Sequence, residues 1–192
     1  MYNVEDFKRP IIKMGTRVLR PNEYKALEMG CQKNDLRTML QALLYTGMRY
    51  VEMQNFQKNP SCFDGDFIHL PKEVGTKKHK RTQQERWVRL NNQGKMAIQH
   101  FINIKHKLPA YQGWNVNLKC WAKRAGLDPM GISVKSTRKT WESWLMFYYP
   151  QYIPHIALSQ GHTQLTSLQH YINSPFTETD KLGIKNYVEG WI

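Results

Sequence analysis

The stretch from Lys135 to Tyr171 constrains the fold of this chain more than any other part of the sequence. It holds three polar sites in a fixed order: Lys135 and Arg138 are three residues apart, His162 directly follows Gly161, and Tyr171 comes nine residues after the histidine. Nine residues of unbroken helix would separate His162 from Tyr171 by about 14 Å. The chain therefore has to bend before Tyr171 if both side chains are to reach one ligand.

A fourth site lies far upstream, where the segment LLYTGMRYVEM contains Arg49. Two arginines from distant parts of a chain can clamp one phosphate, because each guanidinium matches the oxygens with two parallel charge-assisted hydrogen bonds. Lys135 and Arg138, at positions i and i+3, lie on one side of a helix and can face the same oxygens. A tyrosine hydroxyl, with an ordinary pKa of about 10, becomes a useful nucleophile once the phosphate is neutralised and held in line with it. The four sites predict a phosphate-binding centre with Tyr171 as its nucleophile.

These segments resemble the boxes of the tyrosine recombinases, the phage-type integrases. The matching segments are TGMRYVEM, then KSTR at the family's [His/Lys]-x-x-Arg position, then SQGH with Tyr171 nine residues later, and the resemblance covers roughly residues 15 to 175. Lys135 stands where most relatives have histidine, which resembles the integrases of archaeal viruses such as the fuselloviruses. The resemblance implies the recombinase catalytic-domain fold, which is mainly α-helical with a small antiparallel β-hairpin.

The resemblance also implies an activity, the cleavage and rejoining of double-stranded DNA without a metal or other cofactor. Tyr171 would attack a backbone phosphate, forming a 3′-phosphotyrosyl link and releasing a 5′ hydroxyl. Glu52 follows Arg49 at i+3 and is expected to orient it by pairing with it. The residues expected to stabilise the charged pentacoordinate state are Arg49, Arg138, Lys135 and His162.

Two short alternating segments, FIHLP at 67–71 and ERWVRL at 85–90, predict a β-hairpin around the basic stretch KEVGTKKHKRTQQ. In the recombinases such a hairpin inserts a lysine that protonates the departing 5′ oxygen, a step that suits a lysine better than an arginine. Counting forward from Arg49 favours Lys72, whereas counting back from the second strand indicates Lys77, Lys78 or Lys80; Lys72 is favoured over Lys78. The tip residues expected to contact DNA are Lys77, Lys78, Lys80 and Arg81.

The remaining sequence predicts helices and their ends. Helices are expected at about 21–32, 35–46, 92–106, 114–125, 134–147 and 153–159. Gly47 is expected to end the second of these and Gly126 the fourth. Arg49 is therefore predicted to lie at a corner between two helices, where its side chain can reach a site.

The formal net charge of +13 and the pI near 9.7 indicate a polyanionic partner, here double-stranded DNA. No apolar segment is long enough for a membrane span and the amino terminus lacks a signal-peptide core, so we expect an intracellular protein acting on DNA in the host cytoplasm. Cys31, Cys62 and Cys120 are too widely spaced for a typical zinc site. No metal site is expected.

The chain is expected to divide into a basic, extended lead-in or linker at residues 1–19, a catalytic domain at 20–175 and a tail helix at 176–192. The tail is expected to pack on a neighbouring protomer in a homo-oligomer on DNA, with docking against its own domain as the alternative. Two other functions stay open. One is a recombinase-like fold that only binds DNA, and the other is a basic helical binding module whose motif matches are accidental.

Overall fold

The computed structural model describes residues 9–71, 85–162 and 174–192. In these residues two small β-hairpins accompany eight α-helices, numbered here in chain order. The strands are β1 (Ile11–Lys13), β2 (Thr16–Val18), β3 (Phe67–Leu70) and β4 (Arg86–Arg89). The helices are α1 (Pro21–Gly30), α2 (Asn34–Thr46), α3 (Tyr50–Lys58), α4 (Asn92–Ile102), α5 (Tyr111–Arg124), α6 (Ser136–Tyr148), α7 (Ile153–Gln160) and α8 (Glu178–Val188). The predicted mainly α-helical class is confirmed.

Helix α2 ends where the sequence predicts. Gly47 adopts φ +57°, a left-handed conformation that favours glycine, and its backbone N–H donates to the carbonyl oxygen of Leu44. A side chain at this position would also collide with Gln160 and Trp141, so the chain needs glycine here for two reasons. Helix α3 begins three residues later, which leaves Arg49 as its N-cap at the predicted corner.

Helix α6 lies at the centre of the core. It packs against α2, β2 and α8, and buries Trp141, Trp144 and Leu145 completely. The indole of Trp144 donates to the carbonyl oxygen of Leu19, and Thr140 accepts from the backbone N–H of the same residue. Because α6 is held on several sides, its first turn is a rigid platform for Arg138.

The hairpin formed by β3 and β4 matches the prediction. Its strands pair antiparallel from Phe67 opposite Arg89 to Leu70 opposite Arg86. Alternate side chains face inward, so that Ile68 and Val88 are fully buried. This inner face packs β4 against α7, the helix that precedes His162.

The amino-terminal segment differs from the expected extended lead-in. Residues 11–18 form the β1–β2 hairpin, and Val18 and Leu19 are fully buried against α6. Arg17 forms a buried ion pair with Glu23, whose carboxylate also accepts from the backbone N–H of Arg20. The burial of Val18 and Leu19 and the Arg17–Glu23 ion pair join this segment to the core.

The tail helix α8 packs on its own domain, which is the alternative named from the sequence, and packing on a neighbouring protomer stays a prediction. It lies against α1 and α6, with Ile184, Val188 and Trp191 buried. Asp180 forms a buried ion pair with Arg20, far upstream. The apolar face of the tail therefore covers the core of the same chain. None of the helices in the described residues has the length and apolar character to cross a membrane.

Candidate active site

Arg138 lies in the first turn of α6 and is 8% exposed. One terminal nitrogen, Nη1, donates to the carbonyl oxygen of Gly47 at 2.7 Å, and the other, Nη2, donates to the carbonyl oxygen of Gln160. Burial lowers the pKa of Arg138 to about 10, opposed by the nearby carboxylate of Glu142. The guanidinium therefore stays charged at neutral pH, fixed between the end of α2 and the end of α7.

His162 meets Arg138, as expected of a shared centre. Its Nε2 atom lies 2.8 Å from Nη2 of Arg138 and 3.2 Å from Oε2 of Glu142. The position depends on Gly161, which has φ +66° and ends α7 in the left-handed conformation. Arginine can only donate a hydrogen bond and an ionised carboxylate can only accept one. Nε2 can therefore accept from Arg138 only when it carries no proton, and donate to Glu142 only when it carries one.

Arg49 forms the ion pair that its spacing predicts. Its Nη1 donates to Oε1 of Glu52 at 2.7 Å, and its backbone N–H donates to Oε2 of the same carboxylate, also at 2.7 Å. The side chain of Arg49 is 35% exposed, so its guanidinium is accessible to a ligand while one end is held. Its charge also contributes to the lowered pKa of Arg138, which indicates that the two guanidiniums are close.

Glu52 is fully buried and ionised. Burial opposes ionisation, but the hydrogen bonds and charge of Arg86, with the charges of Arg138 and Arg49, outweigh it and hold the pKa of Glu52 well below its usual range. This carboxylate is therefore negatively charged at neutral pH, among three arginines.

Lys135 differs from these residues in its exposure. It is the exposed N-cap residue of α6, and its ammonium group makes no hydrogen bond to the described residues. Its backbone N–H bonds to the hydroxyl of Ser133. The spacing placed Lys135 and Arg138 on one helix face, but only Arg138 turns into the buried centre.

Several predicted site residues lie outside the described residues, and their roles remain predictions from the sequence. They are the nucleophile Tyr171, the general-acid candidates Lys72, Lys77 and Lys78, and the DNA-contacting residues Lys80 and Arg81.

Arg86 was missed by the sequence analysis. It is 5% exposed, and its Nη1 and Nη2 atoms donate to Oε1 and Oε2 of Glu52 at 2.9 and 2.7 Å. Its Nε donates to the carbonyl oxygen of Ser159 at 3.0 Å. The alternation of β4 could have indicated this residue. Arg86 lies two positions before the buried Val88, so it faces the same inner side of the strand, where an apolar residue is usual.

Glu142 was missed as well. It lies one helical turn after Arg138, is fully buried, and contacts His162. An acidic residue between Trp141 and Trp144, two large side chains expected in the core, was the available signal. Buried charges need partners, so such a residue indicates a nearby cation.

Together these residues form a compact, positively charged centre able to bind an anionic oxygen group. It takes side chains from α3, β4, α6 and the end of α7, and its accessible members are Arg49 and His162. No group of histidine, cysteine and carboxylate side chains able to hold a metal occurs in residues 9–71, 85–162 and 174–192.

The architecture defines a class, the tyrosine recombinase catalytic-domain fold, which confirms the predicted fold. The chain is similar in structure to the crystal structure of XerA recombinase, with a TM-score of 0.63 at 15% sequence identity, over 96% of this chain and 70% of that chain. Comparison with models of protein families gives no match, and comparison with curated protein sequences gives none either.

Proposed function

We propose that this chain is the catalytic domain of a site-specific DNA recombinase that cuts and rejoins double-stranded DNA through a 3′-phosphotyrosyl intermediate. One observation carries the proposal. Arg138 lies 2.8 Å from His162, while Arg49 is held beside them by Glu52. These residues come from three separate segments of the chain, each of which resembles a recombinase box.

The chemistry follows from the charges of the site. A phosphodiester under attack gains negative charge on its non-bridging oxygens, and a fixed cluster of cations stabilises that state more than the ground state. Arg49 and Arg138 supply permanent positive charge, and His162 supplies a ring N–H. Lys135, at the exposed start of α6, would approach the phosphate from the solvent side.

Tyr171 is proposed as the nucleophile because of its position nine residues after His162. Its hydroxyl gives up its proton to the solvent as the oxygen forms the new bond to phosphorus, and the bond from phosphorus to the 5′ oxygen breaks. A hairpin lysine, with Lys72 favoured over Lys78 and Lys77, gives that oxygen its proton. Attack by a 5′ hydroxyl of another strand then reverses the step, so no external energy source is needed.

The partners proposed for this activity follow from strand exchange itself. Each exchanged strand needs its own tyrosine, so several copies of the chain would act together on DNA. The charge of +13 suits binding to the DNA backbone. A site-specific enzyme of this kind would integrate a viral genome, and Lys135 in place of histidine favours an archaeal virus and action on DNA in the host cytoplasm.

A suicide DNA substrate tests the proposal. This is a duplex with a nick near the cleavage site, so that the short released fragment diffuses away and the covalent protein–DNA product accumulates. Because the target site is unknown, a nicked library of duplex sequences is used first, and the captured sequences are then synthesised individually. The expected result is a covalent product whose modified peptide contains Tyr171. Binding without any covalent product would instead favour a recombinase-like fold that only binds DNA.

A further inference from the structure

The buried side chain of Arg86 joins two parts of the candidate active site that are distant in the sequence. Arg86 starts β4, two residues after the end of the basic stretch at 72–84 in the sequence. At one end it binds Glu52 in α3, 34 positions upstream, and at the other it binds the carbonyl oxygen of Ser159 in α7, 73 positions downstream. No other side chain among the described residues hydrogen-bonds to both segments.

At the first end, Arg86 fixes the plane of the Glu52 carboxylate. Its two terminal nitrogens donate to the two carboxylate oxygens in the parallel arrangement that arginine favours. Each of these oxygens has a second donor from Arg49: Oε1 accepts from its guanidinium and Oε2 from its backbone N–H. The orientation of the Arg49 guanidinium is therefore determined by a carboxylate that Arg86 holds.

At the other end, Arg86 fixes the approach to His162. Its Nε bonds to Ser159, and its side chain passes so close to Gly161 that a Cβ at that position would lie 3.0 Å from Cδ of Arg86. The residue after this glycine is His162. Arg86 thus sets the spacing between the Arg49 segment and the His162 segment, without being exposed enough to bind a ligand itself.

We propose that Arg86 is a positioning residue for phosphodiester cleavage, acting through Glu52 on Arg49 and through Ser159 on His162. This inference rests on the proposed function. Misplacement of a catalytic group by about 1 Å can cost about a hundredfold in rate. Loss of Arg86 should therefore slow formation of the covalent intermediate while the exposed basic residues still bind DNA.

The test measures the single-turnover rate of covalent attachment to a suicide duplex at saturating protein, together with the dissociation constant for DNA. Arg86→Met should lower the rate by about tenfold to a hundredfold and change the dissociation constant by less than about threefold. Arg86→Lys keeps a positive charge beside Glu52, so it should fold even if Arg86→Met does not. It cannot make the two parallel bonds, so its rate should still fall about tenfold.

A matched control comes from the buried ion pair between Arg17 and Glu23, which is away from the site. Arg17→Met removes a comparably buried arginine and should lower the melting temperature without a selective loss of rate in the remaining folded protein. If Arg17→Met slows attachment as much as Arg86→Met does, the effect is general destabilisation and the inference is overturned.

Two further readouts separate positioning from stability. Arg86→Met should slow the Arg49→Ala variant by a smaller factor than it slows the wild type, because the route through Glu52 to Arg49 is already lost and only the route through Ser159 to His162 remains. A substrate with an uncharged methylphosphonate at the cleaved position needs less guanidinium stabilisation, so the rate loss of Arg86→Met should shrink on it. Additive losses, or equal losses on both substrates, would overturn the inference alone. Absence of attachment by the wild-type chain would overturn the proposed function and this inference together.

Discussion

Nη2 of Arg138 lies 2.8 Å from Nε2 of His162, although the two residues are 24 positions apart. The contact depends on the way α7 returns to the start of α6, where the carbonyl oxygen of Gln160 also accepts from Arg138. The arginine is almost entirely buried, whereas Arg49 is 35% exposed. The guanidinium of Arg138 is therefore enclosed in the centre, whereas that of Arg49 is accessible to a ligand.

The nucleophile assignment leads to the first prediction. Tyr171→Phe should abolish covalent attachment to a suicide duplex and change DNA affinity by less than about twofold, because the ring stays and only the attacking oxygen is lost. Attachment is measured by denaturing gel electrophoresis and affinity by fluorescence anisotropy. Tyr152→Phe is the control, since this partly buried tyrosine packs against Tyr149 and should keep full activity. Attachment by Tyr171→Phe would show that another tyrosine reacts.

The general acid can be located with a modified substrate. Replacing the 5′ bridging oxygen by sulfur creates a leaving group that departs without a proton. Lys72→Ala should cut natural DNA at least about a hundredfold more slowly and the sulfur-containing DNA at close to the wild-type rate. Lys78→Ala serves as the comparison on the same hairpin. Sulfur rescue of Lys78→Ala, with none for Lys72→Ala, would move the acid to the hairpin tip.

Glu52 should make the stability of the protein depend on pH. Its pKa lies well below the ordinary value of 4.5 in the folded chain, so its ionised form stabilises the fold above pH 4.5. This contribution is lost as the pH falls from 4.5 through the lower folded-state pKa. Glu52→Gln should cost about 3–5 kcal/mol at pH 7, because it leaves the buried Arg86 without its charged partner.

Urea unfolding of wild type and Glu52→Gln between pH 7 and pH 3 measures this effect. The difference in unfolding free energy between the two proteins should shrink at the acidic end. Asp66→Asn is a suitable control, because the ion pair between Asp66 and Lys95 is largely exposed and should contribute no more than about 1 kcal/mol. A difference for Glu52→Gln that stays constant with pH would contradict the ionised carboxylate.

DNA binding should weaken steeply with salt. A protein that neutralises six or more phosphates loses about a thousandfold in affinity between roughly 50 and 200 mM salt, through release of counterions. Reversing the charges of Lys77, Lys78, Lys80 and Arg81 together should make the slope of log affinity against log salt shallower. A slope near zero for the wild-type chain would remove the argument for an extensive phosphate contact.

Patterns within short segments of the sequence predicted several features of the fold and of the site. The left-handed glycine at 47, the N-cap position of Arg49 and its pair with Glu52 three residues on all involve neighbours in sequence. The β3–β4 hairpin followed from alternation over a few residues. Such features are fixed by backbone conformation and by periodicity, which a short segment expresses by itself.

Tertiary structure decided the rest. The roles of Arg86 and Glu142 depend on partners brought close by packing, and a buried charge cannot be told from an exposed one until its partner is known. The same applies to the ends of the chain. An apolar side chain such as Trp191 is expected to be buried, but the sequence does not say against which surface. The tertiary structure shows Trp191 buried in its own domain, with its indole N–H donating to the carbonyl oxygen of Arg89. The sequence by itself predicted that Arg49, Arg138 and His162 belong to one centre, because each lies in a recognisable local pattern. The tertiary structure added Arg86 and Glu142 and decided which side chains are buried or exposed, because those properties depend on long-range contacts.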